Sequence, residues 1–415
     1  MTICYRSIKA NREISKRRHV FWYLGMENFL IGLSGSLLGP LLPIVSKDLS
    51  INFSKMGIIL SLNSFGALIF VLITGSALEI FPNRLKKINK LCSILIAVSF
   101  AGIFFATNFY TFALLYFISG LAVGGFLVVT TIILHDLYGM KISSILLKIS
   151  LFSLTGFTLG PIMVSIFLNF NLNWRYLFIF VAFLQILVFI YLTFLKFEPK
   201  PNIDKKAGFL FHVNKKILSN KKVVTGFITS LLHGGIVVVT FTWLTTFLME
   251  TNIPVKTGSI FVVFFSISMI IASLLKIALL KLMKETSIIL FNSVASIFFI
   301  ILFFQTGSIA LKIIFLMLFG INITGIFTLA VSLGVQVMPG YKSSITGIIN
   351  AFAYVGAMVF QYIAGRLSDS YGSISIAYLT LTGLVLIIIA SVFLQLIDKK
   401  HLVNKNKCYK NNGAF

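Results

Sequence analysis

Apolar runs of about twenty or more residues recur from one end of the chain to the other, separated by short polar stretches. As an α-helix, each run is long enough to cross roughly 30 Å of hydrocarbon. The runs do not alternate polar with apolar residues, so they do not read as strands of a membrane barrel. The pattern predicts twelve spans, near 20–45, 55–81, 88–107, 109–135, 143–169, 174–196, 223–249, 257–281, 286–305, 309–337, 344–366 and 374–397. The expected fold class is therefore all-α integral membrane. The longest polar interval, Lys196 to Lys222, carries Pro199, Pro201 and eight lysines. It divides the chain into a six-span half (1–198), a linker (199–222) and a second six-span half ending in a basic tail (223–415).

Composition agrees: 58% of the 415 residues are hydrophobic and only 11% are charged, against roughly 25% charged in a soluble domain. A net charge of +24 would suggest nucleic acid in a soluble protein, but its placement points elsewhere. With the N-terminus in the cytoplasm, 29 of the 35 Lys and Arg fall on the inner side. Lys47, Lys55, Arg175, Lys256, Lys312 and Arg366 fall outside. That asymmetry is the positive-inside pattern. It predicts a multi-pass protein of the cytoplasmic membrane with both termini inside, contacting anionic lipid heads and not nucleic acid. The run after Lys16, Arg17 and Arg18 is too long for a signal-peptide core and is expected to stay as the first span. Cys4 and Cys408 fall in the tails and Cys92 in span 3, which implies no disulfide framework.

Sliding the chain on itself by 200 residues aligns Gly35 with Gly235, Gly120 with Gly320, Gly125 with Gly325 and Gly156 with Gly356. The same shift aligns Ser143-Ser144-Ile145 with Ser343-Ser344-Ile345. Chance would give about one Gly–Gly match. The shift lays span 1 on span 7 and span 4 on span 10 with orientation unchanged, so the halves read as parallel repeats.

Ionisable groups within a span cost several kcal/mol unless paired or hydrated, which makes them functional candidates. Glu27 lies within span 1 and is the candidate proton-coupling carboxylate. Asp136, next to His135 at the inner end of span 4, is a second. Helical spacing collects polar side chains into stripes: Thr229, His233, Thr240 and Trp243 in span 7, and Asn322, Gly325, Thr328, Ser332 and Gln336 in span 10. Span 11 adds Asn350, Tyr354 and Gln361, and span 4 adds Tyr116, Gly120, Gly124, Thr131 and His135. Such stripes suit a wet interior, with interhelical hydrogen bonding as the alternative. Asn28, Asn63, Tyr116, His233, Trp243, Asn322, Asn350, Tyr354 and Gln361 are accordingly the candidate substrate contacts. Gly25, Gly32, Gly35 and Gly39 share a face of span 1, and Gly156 and Gly160 stand four apart in span 5, where small residues permit close packing. Pro161 removes a backbone donor and allows a kink.

Three segments resemble the major facilitator superfamily: Asn173-Trp174-Arg175-Tyr176-Leu177-Phe178 at the entry to span 6, Phe241-Thr242-Trp243-Leu244-Thr245-Thr246-Phe247-Leu248 at the end of span 7, and Gly156-x-x-x-Gly160-Pro161 in span 5. The resemblance implies a major-facilitator-like bundle in two six-helix halves. It also implies gating roles for Gly75, Glu79 and Arg84 in the loop after span 2, and for Gly156, Gly160 and Pro161. The chain departs from the family loop at Ile80, Pro82 and Asn83, and holds Tyr116 where proton-coupled members often carry arginine. Gly365-Arg366-Leu367-Ser368-Asp369 fits the loop pattern better but falls at the outer end of span 11.

An enzyme would need a clustered nucleophile, base or metal set, and only adjacent His135-Asp136 offers itself. No nucleotide loop or cysteine–histidine metal spacing occurs, so no cofactor and no metal are expected. The expected function is secondary active transport, by a monomer, of a small neutral or polar organic solute of sugar or polyol type, with a proton as the candidate coupling ion. The alternative is efflux of drug-like compounds or metabolites by antiport. A receptor, scaffold or membrane enzyme is the remote one.

Overall fold

The computed structural model describes residues 2–80, 84–138, 142–195, 215–279, 285–338 and 342–412, and among these there are helices and no strands. The first half holds α1 (Thr2–Asp48), α2 (Phe53–Ile80), α3 (Leu85–Phe105), α4 (Phe109–Tyr138), α5 (Ile142–Asn169) and α6 (Arg175–Phe194). A single turn, α7 (Lys215–Leu218), leads into the second half. There follow α8 (Lys221–Glu250), α9 (Val255–Leu279), α10 (Glu285–Gln305), α11 (Ile309–Ile323), α12 (Ile326–Val337), α13 (Lys342–Tyr371) and α14 (Ser375–Asn412). Twelve segments are long and apolar enough to cross a membrane, with α11 and α12 together forming the tenth.

Six short connections define one face of the bundle, the loop face: 49–52, 106–108, 170–174, 251–254, 306–308 and 372–374. Their chemistry explains the sharp reversals. Ser50, Asn171 and Asn252 adopt left-handed φ of 51°, 54° and 63°, a conformation asparagine tolerates better than most residues. Asn52, Asn108 and Asn173 then turn their side chains onto the first free amides of the next helix, accepting from Lys55, Thr111 and Arg175 at 3.1, 3.0 and 2.9 Å. Arg175 also pairs with Asp48 at 2.5 Å and donates to the carbonyl of Ala106 at 3.0 Å, tying three loop-face connections of the first half together. The opposite face, toward the start of α1 and the end of α14, is the tail face.

Within each half the same packing scheme repeats. In the first, α1 packs on α5 and α6, α2 on α4, and α3 on α4 and α6. In the second, α8 packs on α13 and α14, and α10 on α11 and α14. Glycines aligned by the 200-residue shift do equivalent work. A Cβ at Gly156 would strike the carbonyl of Phe29 on α1, and one at Gly356 the carbonyl of Leu231 on α8. Both are backbone-to-backbone crossings that only glycine permits. Val98, Phe183, Phe298 and Ile389, on the outermost helices, expose their side chains as a lipid-facing surface should.

The tenth span departs from the expected continuous helix. It breaks at Thr324–Gly325, where Gly325 takes φ of 87°. Pro161, by contrast, lies inside an unbroken α5.

Candidate functional site: a cleft between the halves

The halves are joined toward the loop face. Asp369, near the end of α13, accepts from the amides of Phe53 and Ser54 at the start of α2, at 2.9 and 2.7 Å. One turn and two turns deeper, Gly57 lies against Gly365, and the Ser61 hydroxyl donates to the carbonyl of Met358 at 2.8 Å. On the other flank Gly39 meets the backbone of Phe241 and Thr242, the rings of Phe157 and Phe241 meet edge to face at 5.2 Å, and Phe53 packs on Trp243. Toward the tail face, α4 packs against α2, α3 and α5 of its own half, and α12 against α8, α10 and α13 of its own. Those bonds and close backbone approaches between the halves lie toward the loop face, and the seam toward the tail face is the candidate cleft.

Helical register shows which candidates look into that cleft. Asn28, Gly35 and Gly39 share one face of α1, and Gly39 touches the second half, so Asn28 stands on the same wall nearer the tail face. Asn350 and Tyr354 likewise share a face of α13 with Gly365, which touches the first half. All three are half-buried, and the amides of Asn28 and Asn350 donate to the carbonyls of Leu24 and Thr346 four residues back at 2.8 Å, leaving their oxygens for another partner. His233 adjoins this wall: Ser230 on the preceding turn donates to the carbonyl of Ile349, and Gly234 presses on Ala353. The ring Nε2 of His233 sits 3.1 Å from the carbonyl of Ile323, which the break in the tenth span has released, and its ring stacks with Phe327 just beyond the break. Asn322, half-buried, is the residue before that carbonyl. Of these candidates, His233 stands directly beside the break, Asn322 is one residue before the carbonyl it faces, and Asn350 and Tyr354 lie on the α13 face whose neighbours touch α8.

The other candidates are placed differently. Asn63 turns into its own half, donating to the carbonyl of Tyr116 and to Ser119 at 2.9 and 3.0 Å. Tyr116 is buried beneath Phe112. Trp243 and Gln361 are fully buried and bonded to each other at 2.6 Å, with Thr242 completing the knot. This tight polar cluster fastens α8 to α13, because burying an indole N–H and an amide is tolerable only when they satisfy one another. Asp136 and Arg84 are exposed toward the tail face. Gly156 and Gly160 seat α5 on α1, against Phe29, Leu33 and Ser36. The side chains of Glu79 and His135 and the surroundings of Gly75 lie outside what the structure describes.

Glu27 lies behind the cleft wall. Its carboxylate is fully buried and accepts from Tyr23 at 2.9 Å, Ser93 at 2.8 Å and Gln185 at 2.9 Å, while Asn89 donates to the Tyr23 hydroxyl at 2.7 Å. The sequence reading singled out none of Ser93, Asn89 and Gln185. Their signal was available, since polar side chains inside otherwise apolar spans need partners.

The family model for the Major Facilitator Superfamily matches residues 27–361. The chain belongs to this superfamily. Its members are membrane transporters, and solved structures of transporters share the fold. The nucleoside transporter NupG superposes with a TM-score of 0.76 at 18% identity, covering 90% of this chain and 99% of that one. A bacterial homolog of the human lysosomal transporter Spinster, in an inward-facing and occupied conformation, gives 0.73 at 13% over 92% and 97%. A D-xylose–proton symporter gives 0.73 at 12% over 91% and 96%. At these identities the likeness establishes the fold alone. Comparison with curated protein sequences gives no match.

Proposed function

We propose that this superfamily member is a secondary transporter that alternates a central cleft between the two membrane faces and carries a small neutral, polar organic solute. The carrying observation is the break in the tenth span beside His233. Interrupted helices are where transporters of several folds bind their cargo, because the ends offer backbone donors and acceptors that lipid would not tolerate. Around the break stand amides, an imidazole and a phenol, and no lysine or arginine among the described cleft residues named above. That inventory suits hydroxyls and carbonyls of a sugar- or polyol-like solute and supplies no fixed cation for a carboxylate or phosphate. A nucleoside and xylose, the cargoes named for two of the similar structures, are solutes of this polarity.

Positive-inside placement puts the tail face in the cytoplasm, so the cleft opens inward. Glu27 is the coupling group of the proposal, because it is the one carboxylate buried among the described residues. Ligand identity is tested by thermal shift of the purified protein against sugars, polyols, nucleosides, organic acids and cationic drugs, since a bound ligand stabilises by mass action. Coupling is tested with the hit in proteoliposomes. Glu27→Gln is expected to abolish gradient-driven accumulation while exchange between preloaded vesicles survives. Full accumulation by a folded Glu27→Gln protein refutes the role of Glu27, and stabilisation by organic acids alone refutes the neutral-solute reading.

A further inference from the structure

The nest around Glu27 holds more oxygen than its hydrogen bonds use. The amide oxygens of Asn89 and Gln185 are both buried and have no partner, although the nitrogens of the same amides donate into the cluster. Asn89 is 1% exposed, and Gln185 and Glu27 are fully buried. Orphaned acceptors of this kind are rare in a folded interior and call for an explanation such as an ion. A carboxylate in hydrocarbon with no ion-pair partner among the described residues calls for one too.

A proton on Glu27 would answer only part of this. It would give one donor to one acceptor, leave the second amide oxygen orphaned, and weaken the three bonds already aimed at the carboxylate. A small cation answers all of it. Turning the two amides about their last side-chain bond, and rotating the Tyr23 and Ser93 hydroxyls, brings up to six oxygens to bear: two from Glu27 and one each from Tyr23, Asn89, Ser93 and Gln185. All-oxygen coordination is the signature of hard cations. Charge decides the valence. The nest supplies a single negative charge, so a monovalent ion leaves it neutral, whereas a divalent one would strand a positive charge among apolar helices.

We propose that α1, α3 and α6 enclose a site for a small monovalent cation of the sodium class, liganded by Glu27 with Tyr23, Asn89, Ser93 and Gln185. The approach is from the tail face. His19, exposed near that face, lies 3.2 Å from the Tyr191 hydroxyl, the rings of Tyr191 and Tyr23 are neighbours at 6.3 Å, and Asn89 stands one turn inside the start of α3. These groups form a polar ladder down to Glu27. The proposal deepens the coupling role given to Glu27 above and rests on it for its physiological meaning, though not for the binding itself.

The test uses the full chain in lipid nanodiscs in choline chloride at constant ionic strength. Unfolding is followed by tryptophan fluorescence and binding by displacement of radioactive sodium. Sodium or lithium is expected to raise the melting temperature saturably, by about 2 °C at tenfold excess over Kd, while potassium does not. Glu27→Gln is expected to lose the shift and the bound sodium. Gln185→Leu and Ser93→Ala are expected to weaken sodium affinity by about tenfold each, and they carry the test if Glu27→Gln does not fold. Equal shifts with all cations, sodium binding retained in Glu27→Gln, or unchanged affinity in both other variants overturns the proposal. Stabilisation by acid but not by sodium overturns it as well and leaves proton coupling standing. Sodium binding that the unaltered protein shows and Glu27→Gln loses, alongside full accumulation by that variant, separates the cases the other way: the ion site stands and its coupling role falls.

Discussion

Removing the Asp369 carboxylate should loosen the loop face and shift the cleft toward its other opening. The first turn of α2 exposes amides that the helix cannot satisfy itself. Asn52 serves one of them locally, at Lys55, and Asp369 from the opposite half serves Phe53 and Ser54. Those two bonds exist only while the halves are closed at this face, so their energy biases the conformational equilibrium directly. Asp369 is exposed, and parted groups would be hydrated, so a cap of about 1–2 kcal/mol is the appropriate scale rather than the full strength of two buried ionic bonds. That corresponds to about a 5- to 30-fold change in the ratio of the two openings. Spin labels at Thr107 and Ser308, on loop-face connections of the two halves, report it by pulsed electron resonance. Asp369→Ala should raise the ratio of long- to short-distance populations by that factor, Asp369→Asn by less because one acceptor remains, and Ser370→Ala not at all. An unchanged distance distribution in a folded Asp369→Ala protein would refute the view that this cap holds the face shut.

Further expectations follow from the same geometry. Single cysteines at Asn322, Asn350 and Tyr354 should react with small polar thiol reagents and be protected by bound solute, whereas Ile387, fully buried, should be inert; uniform inertness would mean a dry packing face. Gly156→Leu should destabilise the first half by about 3 kcal/mol or more, because the crossing with Phe29 cannot widen cheaply; fluorescence-detected gel filtration would show the loss, and a normal melting profile would contradict it. Cysteines at Asn202 and Asn411 should resist an impermeant thiol reagent in intact cells in a background without native cysteines, and labelling of either from outside would reverse the orientation.

The twelve spans were legible because lipid permits few alternatives: a long apolar run that must satisfy its own backbone is a helix. The repeat was legible where glycine is forced, at Gly156 and Gly356, since close backbone crossings restrict the residue type. The stripes were less informative. A polar side chain facing water and one bonded across a dry interface leave the same periodic mark, which is why the sequence pattern did not set the buried Trp243–Gln361 pair apart from the half-buried Asn350 and Tyr354. The break at Gly325 left no distinguishing mark, because one glycine among 30 does not announce a positive φ. What makes it tolerable is His233, which is distant in sequence. Asp369 was legible as an acidic residue at the outer end of span 11, but its partner amides belong to backbone, which carries no sequence signature.

The broken tenth span also constrains how the protein is made. α11 and α12 hold 15 and 12 residues, about 22 and 18 Å of helix, so neither can cross the hydrocarbon alone and the two must enter it as one segment. Until its neighbours arrive, that segment carries a released backbone carbonyl at Ile323 that lipid tails cannot satisfy. The shelter comes from α8 through His233, and α8 leaves the ribosome earlier. Synthesis therefore delivers the cover before the vulnerable stretch. Splitting the chain so that α8 is absent when the tenth span is inserted would hand quality-control proteases a helix with an open seam.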